Sequence, residues 1–228
     1  MKVGVISDVH SNSIALEQVL EELHDRGAET ILCAGDIVGY GSQPNRTIRL
    51  LKITEVVSVM GNHDKGILEG TPSNFNIYAK RALDWNRRNL KKEYFEYIEK
   101  LENKIQVNLD GADIYLVHGS PQNPISGYIH SEEVDSDFLD FSLDSYPDIL
   151  IMGQTHKPYI KRIDGTLILN PGSVGQPRDG DPRASCAIID TETNKAEILR
   201  VDYDQQKMAE DVIEYLPKQL ADRLLSGE

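Results

Sequence analysis

Five short polar motifs stand in a fixed order along this chain, each directly after an apolar run of strand-like composition. They are Asp8-Val9-His10, Gly35-Asp36, Gly61-Asn62-His63-Asp64, His118-Gly119 and Gly153-Gln154-Thr155-His156. A strand that ends on a carboxylate, an amide or an imidazole delivers that group to a sheet edge, where open α/β folds build their sites. Each motif alone is weak. Asp-x-His pairs cap helices, Gly-Asp makes turns, and a lone histidine at a strand end is more often just hydrogen-bonded. In order, they demand a fold that brings five strand ends to one edge, and they point to bound metal.

The rest of the pattern supplies that fold. Residues 2–7 read as a strand and 13–26 as an amphipathic helix, with Ile14, Leu16, Val19, Leu20 and Leu23 near helical spacing. Residues 31–34 form a short buried strand, 44–52 a helix opened by Pro44, and 56–60 a third strand. This rhythm implies a parallel sheet with right-handed crossovers. Residues 76–102 predict two helices, and strands follow near 105–109 and 113–117. Residues 119–146, with an acidic run from Glu132 to Asp144, predict a loop and a helix. A buried strand at 148–152 precedes short β segments near 159–163, 166–169, 184–190 and 196–202. The tail, 205–226, is helical and broken by Pro217. A mostly parallel half followed by a mostly antiparallel half predicts two sheets packed face to face, with helices outside. No repeat or linker divides residues 1–228, so one domain is expected, with cap-like insertions at about 65–102 and 119–146.

Composition narrows the function classes. With 24 Lys plus Arg against 37 Asp plus Glu, the formal net charge is −13, which counts against a protein that grips nucleic acid nonspecifically. No apolar run approaches the roughly 20 residues needed to span a bilayer, and the N-terminus reads as a strand rather than a signal peptide. Cys33 and Cys186 lie far apart in apolar runs, as buried thiols of a reducing cytoplasm would. Oligomeric state is not legible.

The five motifs together resemble the signature of the calcineurin-like metallophosphoesterases. The later run Asn170-Pro171-Gly172-Ser173-Val174-Gly175 is similar to the compact bacterial and archaeal phosphodiesterase branch of that family. The resemblance spans residues 3 to about 190. It implies an α/β, four-layer sandwich of two packed mixed β-sheets flanked by helices, with two divalent metal ions at one edge. It implies that Asp8, His10 and His156 hold one ion, that Asp36 bridges, and that Asn62 and His118 hold the second. His63 would face substrate as a proton donor or charge stabiliser, with Asp64 orienting it. The implied activity is hydrolysis of phosphoric esters, by a phosphodiesterase or phosphatase acting on a small phosphorylated substrate. A catalytically weak metal-binding scaffold and a nuclease are the alternatives.

The physics agrees with that division. Two ions about 3.5–4 Å apart can share a hydroxide that attacks phosphorus in line with the leaving oxygen. The ions bring four positive charges, and Asp8, Asp36 and the hydroxide return three, so about one net positive charge remains to attract phosphate. One position departs from the family pattern: Gln154 stands where another histidine is expected. An amide oxygen is a harder, weaker donor than imidazole, which favours Mn or Fe(II) among Mn, Fe, Ni, Co, Mg and Zn. Gln154 can ligate directly, hold a water on the second ion, or point away. Arg178, in a polar loop with Arg183, offers a fork for phosphate oxygens, whereas Arg183 suits pairing with a neighbouring Asp. Asn12 and Tyr40 flank the motifs and are candidates for the pocket wall. The cluster Arg81, Arg87, Arg88 and Lys91 reads as a solvated helix face.

Overall fold

The computed structural model describes residues 1–143 and 145–228. Asp144, the last residue of the acidic run, lies outside them. Two five-stranded sheets carry the fold. In the first, β1 (Lys2–Ile6), β2 (Thr30–Cys33) and β3 (Val57–Ser58) run parallel. β9 (Ala184–Asp190) then returns to pair antiparallel with β1, and β10 (Lys195–Val201) pairs antiparallel with β9. In the second sheet, β5 (Ala112–Val117), β6 (Ile149–Ile151) and β8 (Thr166–Asn170) run parallel. β4 (Lys104–Leu109) and β7 (Tyr159–Ile163) cover its edges antiparallel.

Both sheets are therefore mixed, and the expected division into a parallel half and an antiparallel half does not hold. β9 and β10 cross back because β1 would otherwise be an edge strand, leaving its backbone groups unpaired beside a buried core.

Strand alternation builds three apolar layers. Val3, Val5, Leu32, Ile114, Leu116, Ile149, Ile151, Leu167 and Leu169 meet between the sheets. The other face of the first sheet, with Ile6, Cys33 and Cys186, lies under helices. These are α1 (Ser13–Asp25), α2 (Pro44–Ile53), α4 (Ile77–Asn89), α7 (Gln205–Tyr215) and α8 (Lys218–Ser226). The outer face of the second sheet, with Tyr115, Val117, Leu150 and Met152, is covered by α6 (Ser136–Ser142) and the short turn before it. Both cysteines are free and buried, and burial pushes each thiol up to about 12.

Two local departures bear on the site. β3 is only two residues long: Val59 N–H still donates to Cys33 O of β2, but Val59 also bridges to Glu102 beyond α5 (Lys92–Glu99), and Met60 N–H donates to Glu102 O. The third motif then opens an unexpected helix, α3 (Asn62–Glu69). Asp64 is its cap: the Gly61 N–H donates to its carboxylate at 2.9 Å, as in a capping box.

Candidate metal centre

The loops that follow the strands are bound to each other before they bind anything else. Beyond β1 and β2, Asp8 N–H donates to Gly35 O, His10 N–H to Asp36 O and Ser11 N–H to Ile37 O. Beyond β5 and β6, Gly153 N–H donates to His118 O. The segment after β8 clips on from the side: Val174 and Gly175 donate to the Ser7 and Asp8 carbonyls, and Ser173 Oγ donates to Asp8 O at 2.7 Å. This lacing holds Asp8, His10, Asp36, Tyr40, Gln154 and His156 in the left-handed region, with φ between 41° and 69°. Each non-glycine residue there costs about 1–3 kcal/mol, a strain that clusters where side chains must be aimed at a site.

One glycine makes the approach possible. A Cβ at Gly61 would lie 2.1 Å from Asp36 Oδ1, so no other residue can pass the Asp36 carboxylate so closely. In return, Asp36 Oδ1 accepts the His63 backbone N–H at 2.8 Å.

Seven polar side chains converge from both sheets. The first sheet supplies Asp8, His10, Asp36 and Asn62, and the second supplies His118, Gln154 and His156. Donor atoms of Asp8, His10 and His156 lie within 4.8 Å of one another, as do those of Asp8, Asp36 and His118.

The hydrogen bonds of the three histidines decide what this cluster is for. His10 Nδ1 contacts Val38 O, His118 Nδ1 contacts Ala34 O and His156 Nδ1 contacts Gln176 O, at 3.1, 2.7 and 2.5 Å. A carbonyl only accepts, so each Nδ1 carries the proton and each Nε2 offers a lone pair. Yet His10 Nε2 and His156 Nε2 face each other at 3.1 Å, and His118 Nε2 faces Gln154 Oε1 at 2.8 Å and Asn62 Oδ1 at 3.2 Å. The lone pairs of His10 and His156, opposed at that distance, repel unless a cation lies between them. Buried carboxylates complete the set. Asp8 Oδ1 has no hydrogen-bond partner and sits 3.3 Å from His156 Nε2, while Asp36 Oδ2 is 3.5 Å from His118 Nε2 and 3.7 Å from His10 Nε2. Imidazoles fixed through Nδ1 to carbonyls, facing buried carboxylates, fit metal ions.

Electrostatics point the same way. Burial raises the Asp36 carboxyl well above the usual carboxylate range, and Asp64 and Asp8 add to it against the pull of His118. Burial also raises Asp8. Burial lowers His10 and His156 well below the ordinary imidazole value. At His118, burial opposes the charged form, but Asp36 and Asp8 outweigh it and raise the pKa. Two buried carboxylates thus draw a positive charge to the centre of the cluster, where a cation would remove their mutual penalty.

His63 differs from the other three. Its Nδ1 is buried with no partner, and a Cβ at Gly39 would lie 2.2 Å from that atom. The ring is packed between His10, Tyr40 and Phe75, with centroids 4.8, 4.7 and 4.6 Å away. Burial lowers its pKa well below the ordinary value, and Arg178 adds to this. No carbonyl fixes its tautomer as in the other three, and it lines an open cavity of about 540 Å³ beside Asp36, Asn62, Gln154 and His156.

Two sequence expectations need correction. Asp64 does not orient the His63 ring: its carboxylate accepts the Gly61, Ile37 and Val38 N–H groups. It ties the third motif to the second, and so places the His63 backbone rather than the imidazole. Asn12 is engaged with the backbone. It is 1% exposed, caps α1 by accepting the Ala15 N–H and donates to Gly175 O. The remaining candidates lie as follows. Arg178 lines the cavity, 5.4 Å above the Tyr40 ring, and donates to Gln176 Oε1. Tyr40 lines it too. Arg183 pairs with Asp181, and Arg81, Arg87, Arg88 and Lys91 are exposed.

Asn86 was missed by the sequence reading. It is fully buried and binds two loop segments at once, accepting from Ser11 Oγ and Gly39 N–H and donating to Gly41 O. The signal was present: an amide continues the buried stripe Ala79, Ala82 and Leu83 of α4.

The comparisons with known proteins follow this geometry. Residues 1–194 match the model of the calcineurin-like phosphoesterase superfamily domain. The chain belongs to that superfamily. It is 37% identical to an uncharacterized protein of Methanocaldococcus jannaschii, over 99% of this chain and 98% of that protein. It is 25% identical to the phosphodiesterase YfcE of Escherichia coli, over 84% of this chain and 89% of the other. The crystal structure of a metallophosphoesterase from Sphaerobacter thermophilus superposes with a TM-score of 0.86 at 35% identity, covering 100% of this chain and 99% of that one. Metal-dependent hydrolysis of phosphoric esters is the chemistry of this family, and the donor cluster of this chain is built for it.

Proposed function

We propose that this chain hydrolyses a small phosphoric ester with two divalent ions. Asp8, His10 and His156 would hold one ion, Asn62, His118 and Gln154 the other, and Asp36 lies where it could serve both. The observation that carries this reading is the set of opposed Nε2 lone pairs, each fixed by an Nδ1–carbonyl bond. When bound, such ions supply Lewis acidity and lower the pKa of the attacking water. The remaining work falls to the chain. Arg178, held over Tyr40, offers its guanidinium fork to a non-bridging phosphate oxygen. His63, kept neutral by burial, donates its N–H toward the leaving oxygen. Phosphodiesterases among the relatives support a diester substrate. Segments 65–102 and 119–146 act as caps, since both contribute walls to the cavity. No described helix is long and apolar enough to cross a membrane, and two buried free thiols suit a reducing cytoplasm.

The test is metal reconstitution. Protein stripped by a chelator is expected to lose hydrolysis of bis(p-nitrophenyl) phosphate and of p-nitrophenyl phosphate. It regains activity with at least one of Mn, Fe(II), Ni, Co, Mg or Zn, with Mn or Fe(II) foremost. Inactivity with every ion toward both esters would leave a metal-binding scaffold.

Gln154 makes the two ions unequal. Its Oε1 faces His118 Nε2 at 2.8 Å and would be a weaker donor to an ion there than imidazole. Calorimetric titration with Mn is expected to resolve one tight and one weaker site. Gln154→His should tighten the weaker site by about 10-fold or more, the scale on which ligand-shell changes alter metal affinity. Two equally tight sites in the unaltered protein would refute this.

A further inference from the structure

The cavity in front of the metal cluster carries more information than the cluster itself. Its volume, about 540 Å³, falls within the roughly 300–1,000 Å³ range of small-molecule sites. Arg178 shares the cavity wall with His63 and His156, beside which a phosphoryl group would sit. The other cation on the wall, Lys65, stands 3.7 Å from Glu69, itself a lining residue, so that pair adds almost no net charge. The outer cavity therefore has charge for one phosphoryl group and no positive track for a second phosphate or a polyanion.

What the outer cavity offers instead is ring surface. Phe75, from the segment between α3 and α4, packs against His63 with the rings tilted by 37° and lines the space. Tyr128, from the loop after β5, lines it as well. Tyr128 is 46% exposed, so part of its ring is open. Its ring meets His130 edge-on at 5.1 Å, which holds it against collapse. Ile125 fills the wall beside it. Aromatic faces on a neutral wall, next to a single phosphate position, make a stacking platform.

Resting on the proposed function, we infer that the substrate is a single-phosphate ester bearing a planar aromatic group, which stacks on Phe75 and Tyr128. Polyphosphates and nucleic-acid chains are not what this cavity is shaped to take. The residues that would read the ring, Phe75 and Tyr128, lie outside all five motifs, one in each cap segment.

The experiment is binding to the manganese-loaded protein, with methyl phosphate, phenyl phosphate and thymidine 5′-monophosphate as probes. Phenyl phosphate is expected to bind about 10-fold more tightly than methyl phosphate, since a base–aromatic stack contributes on that scale. The nucleotide arm separates the two sources of a planar ring: nucleoside chemistry makes it tighter than phenyl phosphate, and aryl chemistry makes it no tighter. The double variant Phe75→Leu, Tyr128→Ala keeps apolar volume at 75 and alters an exposed residue at 128, and it should bring the phenyl-to-methyl ratio close to one. Equal affinity for phenyl and methyl phosphate in the unaltered protein, or an unchanged ratio in the double variant, overturns the inference. Parallel hydrolysis of bis(p-nitrophenyl) phosphate keeps the two readings apart. Ring preference without hydrolysis sinks the proposed reaction and leaves the inference standing, and hydrolysis without ring preference does the reverse.

Discussion

Asp36→Asn is expected to reduce metal-dependent phosphoester hydrolysis by about three to four orders of magnitude, taking about 4–5 kcal/mol of Lewis-acid stabilisation as lost. The substitution is isosteric. The Asn carbonyl can still accept the His63 N–H that Asp36 Oδ1 accepts, so the loop should keep its path. What disappears is the negative charge 3.5 Å from His118 Nε2 and 3.7 Å from His10 Nε2. No other carboxylate faces both histidines in this way among the described residues.

A second readout separates this from misfolding. Burial raises the folded-state pKa of Asp36 above its unfolded value. Such a carboxylate costs stability at any pH where the unfolded chain is ionised, because folding must bury the charge or take up a proton. Removing it should therefore raise the melting temperature of metal-free protein at neutral pH. Added Mn should then shift melting less than it shifts the unaltered protein. A metal-free variant that melts lower, with Mn shifting it as before, would remove Asp36 from the centre.

His63→Ala is expected to lower kcat for bis(p-nitrophenyl) phosphate by about 10²- to 10³-fold, the range for loss of one positioned hydrogen-bond donor, while metal content stays intact. The separation rests on geometry: His63 lacks the Nδ1–carbonyl bond that readies the other three histidines for metal, and it lines the open cavity. Leaving-group dependence gives the sharper test. A poor leaving group needs the stabilising N–H hydrogen bond more than p-nitrophenolate does, so the loss should grow as the leaving-group pKa rises. An equal loss for every leaving group, or loss of bound Mn, would assign His63 to structure or ligation instead.

Much of the site was legible because each ligand type follows a strand end. Asp8, His10, Asp36, Asn62, His118 and His156 all arrive in the cluster, as does Gln154. Asn12 and Asp64 were misread for one reason. Beside an Asp-x-His or Asn-His-Asp motif, a short polar side chain can face the site or satisfy nearby backbone N–H groups, and the sequence looks the same either way. Here the buried loops needed their N–H groups paired, and both side chains were spent on that. Asn86 is the converse: its helix is plain from periodicity, but the loops it joins lie more than 40 residues away in sequence.

Sequence alone determined the two-sheet α/β architecture, the helices other than α3, and which chemical groups lie at strand ends, because alternation, helical spacing and glycine turns are local properties of the chain. Tertiary structure decided the return of β9 and β10 to the first sheet, and which donor atoms oppose one another. It also decided the tautomers, since each Nδ1 proton is set by a carbonyl from a distant loop. The aromatic cavity wall was equally invisible in sequence, for Phe75 and Tyr128 are 53 residues apart and share no pattern until the sheets close.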